Sequence, residues 1–368
     1  MLKKTLLILL LTNLAHFDHL YSQNGFTFSH VLDIGNNEPK YDEYVFRGPA
    51  HAVQDSKQNL YVIDKKATEI KVFNSSGEYV KTLGRNGKGP GEFLDISSID
   101  IVNNDTLVVF DTINQRFSTL DINGFLESYT PNQSDLGFIS VRKVIPYKRG
   151  YLILMFSRSF SQAGTSKTFF EFNRKFQFLG ESYGEESSIW NTDNGFSNYL
   201  AYLKQAYSTK INNNKVYVAT GLLVNYITEI NLENRTQKRI QNNNEAVFTS
   251  FILHNIDDFD KKIPNKMLLS GIYGKFVVEA INRTLGVFYE GGIVSKFSVQ
   301  KLNEKQSALV VDLYTDKGSH LESINLKKYN GHPVNALKVL DYKNNRLVLT
   351  DHSSVPKIEI YEFLYWDN

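Results

Sequence analysis

The sequence predicts an all-β chain folded as a six-bladed β-propeller of four-stranded antiparallel blades. Three observations predict it. The first is a spacing of 47 residues: Tyr61-Val62-Ile63-Asp64 recurs as Val108-Val109-Phe110-Asp111, and the turn Asn74-Ser75-Ser76-Gly77 recurs as Asp121-Ile122-Asn123-Gly124. Repeats of 40–50 residues built from short apolar strands and polar turns are what blades look like in sequence. The second is a rhythm of four-to-six-residue apolar runs punctuated by turn formers. The third is a spare strand-like segment at the N-terminus, Phe26–Ile34, matched by a strand missing from the last repeat.

Taken in order, blade 1 is read as Ala52–Gln54, Leu60–Asp64, Glu69–Phe73 and Tyr79–Leu83. Blade 2 is read as Ser98–Val102, Thr106–Asp111, Arg116–Leu120 and Phe125–Tyr129. Later repeats drift. Blade 3 reads Ile139–Ile145, Tyr151–Phe156, Thr168–Phe172 and Phe176–Leu179. Blade 4 reads Ala206–Ile211, Lys215–Ala219, Tyr226–Asn231 and Gln237–Ile240. Blade 5 reads Phe276–Ile281, Leu285–Tyr289, Ala308–Tyr314 and His320–Leu326. Blade 6 has only Ala336–Leu340, Leu347–Asp351 and Lys357–Phe363, so Phe26–Ile34 is expected to complete it and close the ring. Closure removes the open strand edges an incomplete ring would leave.

Loop lengths are uneven. The connections between first and second strands and between third and fourth strands are short. Four long insertions are read at Ser157–Lys167, Gly180–Gln205, Gln241–Lys275 and Glu290–Ser307. In a propeller their two classes of connection leave from the same end, so all four are expected to crowd one mouth of the central channel. Loops gathered on one face of a rigid scaffold are the usual place for binding residues.

Residues 1–23 read as a secretory signal: Lys3 and Lys4, then the apolar run from Leu6 to Leu11, ending at Tyr21-Ser22-Gln23. The run is too short to span a bilayer. Residues 24–368 are then one domain, expected outside the cytoplasm, periplasmic or secreted, with no transmembrane segment. Removing the leader leaves 39 basic and 38 acidic residues. That balance argues against a nucleic-acid partner, which calls for a basic stripe. The absence of cysteine excludes disulfides, thiolate metal sites and a cysteine nucleophile. With 25 Phe and 21 Tyr, the composition suits pleated surfaces.

The stretch Leu83-Gly84-Arg85-Asn86-Gly87-Lys88-Gly89-Pro90-Gly91-Glu92-Phe93 resembles the glycine-rich linker of NHL repeats. Leu107–Phe117 resembles the repeat's strand-loop-strand core, and Leu347–Asp351 keeps part of it. The chain is thus similar to the NHL-like or TolB-like six-bladed propellers secreted by bacteria. That resemblance implies a range of functions, from protein- and RNA-binding modules to a few lyases, and fold alone does not choose among them.

Candidate residues follow from position and chemistry. Arg85, Arg116, Arg142 and Arg158 fall on or near the expected mouth, where guanidinium forks take carboxylates and phosphates. Arg116 has a structural alternative as a repeat position. Tyr183, Trp190, Phe196, Tyr199 and Tyr202 fall in or beside one long loop and suit stacking or a protein contact. They equally suit a small core for the loop itself. His51 and His332 are the weak candidates for a metal. Asp64, Asp111 and Asp351 end second strands, where aspartate usually caps a turn. Asn255–Lys262 lacks the calcium-loop pattern. Neither Gly-x-Ser-x-Gly nor His-Glu-x-x-His occurs. The expectation is a non-catalytic binding module for a protein, peptide or glycan, with no required cofactor. The alternative is a propeller lyase or hydrolase, with room for a divalent cation.

Overall fold

In a computed structural model, the structure describes residues 21–23, 25–35, 39–64, 68–159, 167–185, 206–208, 212, 214–220, 226–241, 251–254, 266–271, 274–280, 282–303, 306–330, 337–351 and 356–366. The chain forms six antiparallel blades around an axis. Blade 1 is Pro49–Gln54, Leu60–Asp64, Glu69–Phe73 and Tyr79–Leu83. Blade 2 is Ile96–Val102, Thr106–Asp111, Arg116–Asp121 and Gly124–Tyr129. Blade 3 is Ile139–Tyr147, Gly150–Ser157, Lys167–Asn173 and Phe178–Glu185. Blade 4 is Ala206–Ser208, Lys215–Thr220, Ile227–Asn231 and Gln237–Ile240. Blade 5 is Asn282–Glu290, Ile293–Asn303, Gln306–Thr315 and His320–Asn330. The first strand of each blade is innermost, and these inner strands touch in cyclic order, blade 6 meeting blade 1.

Blade 6 consists of Leu337–Lys343, Arg346–Asp351 and Lys357–Tyr365, with Phe26–Ile34 as its outer strand. This is the predicted closure. One more strand, Tyr21–Gln23, pairs with Phe26–Phe28 and lies inside the segment read as leader.

The core is divided. Six apolar clusters each fill one gap between adjacent blades, with central-strand residues such as Val62, Val108, Ile153 and Leu347 fully buried. Middle strands read as continuous apolar runs because both of their faces are covered. Burying each such side chain contributes about 1.5–3 kcal/mol.

Two expectations need correction. The expected insertion Glu290–Ser307 is instead largely the second strand of blade 5, Ile293–Asn303. Ser295, Lys296 and Ser298 made it look like a loop, yet all three are buried. Lys296 faces Asp312 in register at 3.1 Å, so its charge is matched inside the blade. Phe276–Ile281 accordingly does not open blade 5. Gly274–Ala280 is the middle strand of a separate three-stranded sheet with Phe251–His254 and Lys266–Gly271, inserted between blades 4 and 5. In blade 3 the outer strand runs over Phe178–Glu185 rather than Phe176–Leu179. Phe176 sits in the preceding turn with its ring stacked on Phe117 at 4.3 Å and on Tyr151 at 4.7 Å. Three long connections remain, 158–166, 186–205 and 241–281, and all leave from the same end of the ring.

Candidate channel-mouth site

The glycine linker between blades 1 and 2 is a built turn. Gly84 has φ +78°, and a Cβ there would lie 2.6 Å from the Phe93 ring, which is fully buried. Left-handed backbone and close approach both require glycine. Arg116 ties this turn together: its guanidinium donates to the carbonyls of Lys88, Gly89 and Glu92 at 2.9, 3.1 and 2.6 Å. Arg85 is exposed and pairs with Glu92 at 2.9 Å. The Gly89 N–H and then Arg85 hold the Glu92 carboxyl below its usual range. Asp111 accepts from the N–H groups of Leu94, Asp95, Ile113 and Asn114, and Asp64 from those of Arg47 and Gly48. These buried carboxylates secure the inter-blade linkers.

The inner strands surround a channel that encloses about 310 Å³. Its wall carries His51 from blade 1, Asp100 from blade 2, Arg142 and Lys143 from blade 3, Arg283 from blade 5 and Lys338 from blade 6. Arg142 occupies a β-bulge, where the register of blade 3 slips between Val141 and Lys143. The inner strands of blades 1, 2, 5 and 6 bulge as well. A bulge twists the strand and re-aims a side chain. Arg142 is exposed in the channel, and no side chain among the described residues pairs with it.

Deeper in the channel the inner edges are sealed by side chains from neighbouring blades. Asp100, Lys143 and Asp341 are each the fifth residue of an inner strand. Asp100 accepts from the Val144 N–H at 2.7 Å and pairs with Lys143 at 2.6 Å. Asp341 accepts from the Gln54 N–H at 2.9 Å and from its side-chain amide at 3.2 Å. These bonds satisfy inner-edge N–H groups that have no further strand to pair with. Burial pushes the Asp100 carboxyl up to about 6, against the pull of Lys143. Burial also raises Asp341, again opposed by Lys143. Lys143 itself is held above its ordinary range, because Asp100 and Asp341 outweigh the opposing effect of burial.

A carboxyl raised in the folded state binds its proton more readily there than in the unfolded chain. The contribution of Asp100 to stability therefore falls as pH rises from about 4 to about 6. Wild type should lose stability relative to Asp100→Asn across that window. Urea midpoints of both proteins at pH 4.5 and pH 7 check this, and a pH-independent difference would refute it.

Of the other candidates, Arg158 is exposed beside the mouth, its N–H donating to the Phe138 carbonyl at 3.0 Å. Tyr183 lies in the outer strand of blade 3, 5% exposed, with its hydroxyl on Glu171 at 2.9 Å and Arg235 over its ring. Trp190, Phe196, Tyr199, Tyr202, His332 and Asn255–Lys262 lie outside the described residues. Among the described residues no three metal-ligating side chains converge. Sequence reasoning missed Lys143, Arg283, Lys338, Asp100 and Asp341. It also missed the exposed apolar residues Ile113, Phe138 and Phe156, which belong to the same end of blades 2 and 3. The Arg142-Lys143 pair inside a predicted inner strand was the available signal.

A family model described as DUF5128, 6-bladed beta-propeller, matches residues 42–258, more than half of the chain. The chain belongs to this family. No curated protein matches it. Among solved structures, this DUF5128 propeller is similar to a DUF4221 family member from Bacteroides vulgatus. The TM-score is 0.59 and the identity 9%, covering 94% of this chain and 100% of that one. It is also similar to a protein named as exported from Bacteroides fragilis, with TM-score 0.51 and 12% identity, covering 95% and 98%. Virginiamycin B lyase from Staphylococcus aureus follows at TM-score 0.47 and 12% identity, covering 92% and 99%, too distant for its chemistry to bear on this chain. At such identities these likenesses show the fold. No helix among the described residues is long and apolar enough to cross a membrane.

Proposed function

We propose that this propeller is an extracytoplasmic, non-catalytic binding module that takes a protein, peptide or glycan ligand at the end of the ring bearing the long connections. The observation that carries this reading is the axial channel of about 310 Å³, with Arg142 exposed in it. Exposed Ile113, Phe138, Phe156 and Arg158 belong to the same end. A cavity of this size sits at the lower bound of small-ligand sites. Exposed aromatics beside an arginine are the composition of an interaction hot spot.

The test is an array of glycans and peptides probed with the full-length mature protein and three variants. Phe156→Ala and Arg158→Ala alter the mouth, whereas Lys57→Ala alters the short turn at the opposite end. Ligands bound by wild type should weaken at least tenfold with a mouth variant and stay unchanged with Lys57→Ala. Binding indifferent to both mouth changes would overturn the assignment.

One observation favours a second reading, a propeller lyase or hydrolase: the Asp100 carboxyl, pushed up to about 6, borders the channel. A carboxyl near neutrality is suited to proton transfer. Its partners Lys143 and Val144 N–H give it a structural task already. Elemental analysis of the purified protein, with melting temperature before and after chelation, tests the metal-dependent form. One bound ion per chain with a lowered melting temperature would favour the enzyme.

A further inference from the structure

We infer that the channel mouth is an oxyanion site, built to receive a carboxylate or phosphate group carried by a ligand of about monosaccharide size. The inference rests on the binding reading above and names the chemistry of that site. Its first support is charge. Among the described residues the channel wall carries Arg142, Lys143, Arg283 and Lys338, with the carboxylates Asp100 and Asp341 acting on Lys143. With Lys143 matched by those carboxylates, Arg142 is left as an exposed cation in the channel that no side chain among the described residues pairs.

The second support is convergence. Arg142 comes from blade 3, Arg283 from blade 5 and Lys338 from blade 6, with the His51 imidazole from blade 1. These positions are far apart in sequence, and only closure of the ring brings them to one cavity. The third support is layering. Arg283 and Lys338 are the second residues of their inner strands, His51 the third and Arg142 the fourth. Asp100, Lys143 and Asp341 form the next layer down, where the Lys143 charge is matched by carboxylates. Among the described residues, the wall above that layer contributes cations and no carboxylate. A narrow cleft of one sign focuses the field and raises the local concentration of counter-charged ligand. The guanidinium of Arg142 offers a fork that fits both a planar carboxylate and a tetrahedral phosphate.

Isothermal titration of the full-length mature protein tests this, with D-glucuronate, inorganic phosphate and D-glucose as probes. At least one anion should bind at a single saturable site, weakening as salt is raised, while D-glucose does not bind. Which anion binds distinguishes a carboxylate source from a phosphate source. Arg142→Gln should weaken binding at least tenfold with an unchanged melting temperature. Asp100→Asn should tighten it several-fold, because it leaves the Lys143 charge uncompensated from that side, an effect of opposite sign that loss of structure would not give. Absence of binding by both anions overturns the inference, as does binding indifferent to Arg142→Gln. If the array finds only neutral ligands whose binding depends on the mouth, the binding reading stands and the oxyanion assignment falls. If an anion binds here but no array ligand responds to the mouth variants, the array reading falls instead.

Discussion

A mature chain lacking residues 24–34 is expected not to fold cooperatively. That segment carries the outer strand of blade 6, whose register pairs Phe26 with Tyr365 and Ile34 with Ile358. The strand also belongs to two cores. Phe26 and Phe28 enter the cluster between blades 5 and 6, and Ile34 enters the cluster between blades 6 and 1. The Phe28 ring stacks on Tyr361 at 4.7 Å. Truncating one buried Phe to Ala costs about 3–5 kcal/mol, a large part of the 5–15 kcal/mol that stabilises a typical protein. Losing Phe26, Phe28 and Ile34 together with a row of ladder hydrogen bonds exceeds that margin. Circular dichroism and urea titration of the truncated chain should show no cooperative transition. A synthetic peptide spanning residues 24–35, added in trans, should restore it by strand addition. A truncated chain with an unchanged midpoint would show that the ring does not depend on this strand. Phe28→Ala gives the graded version, a midpoint shift worth about 3–5 kcal/mol.

The second large effect is expected at Lys296 and Asp312. Both are essentially unexposed, and Ser323 donates to Asp312 at 2.7 Å. Replacing Asp312 by Ala leaves an ammonium buried without its carboxylate and should cost about 3–5 kcal/mol. Replacing both, Lys296→Met with Asp312→Leu, should recover most of that loss, because the desolvation cost of the pair disappears with it. An exposed pair makes the contrast. Arg235 with Glu181 should contribute no more than about 1 kcal/mol. Denaturant midpoints of the single and double variants decide the matter. A single replacement as mild as the surface pair would refute the role assigned to burial.

The same lysine explains where the sequence was misleading. Blades 1 and 2 were legible almost to the residue because their strands alternate with Asn-, Asp- and Gly-rich turns of similar length. The closing strand was legible because Phe26–Ile34 had the pattern that blade 6 lacked. Blade 5 was not, because a charged residue in a middle strand is indistinguishable in sequence from one in a loop. Only Asp312, sixteen positions later and directly opposite, reveals its partner. In blade 3, Phe176 looked like a strand residue but is an aromatic wedge with positive φ in a turn. At the channel, Arg142 was read near the mouth from position alone, and the structure places it on the wall. Arg283 and Lys338 were hidden, since nothing local marks residues that only the sixfold closure assembles. Asp100 and Asp341 occupy the same place in strands 241 residues apart, and neither strand looks special by itself.

Those two aspartates bear on how interchangeable the repeats are. Blade 2 reaches its successor through Asp100 on the Val144 N–H, and blade 6 reaches blade 1 through Asp341 on the Gln54 N–H. Each carboxylate thereby addresses one particular neighbour. Blades 1 and 2 share their spacing and turns, yet the fifth inner-strand residue is Val53 in the first and Asp100 in the second. Transplanting blade 1 into the place of blade 2 would preserve the strand pattern and leave the inner edge of blade 3 without its acceptor. The ring is therefore a set of keyed parts with a fixed seating order, open to variation in the connections at its mouth and resistant to shuffling of its blades.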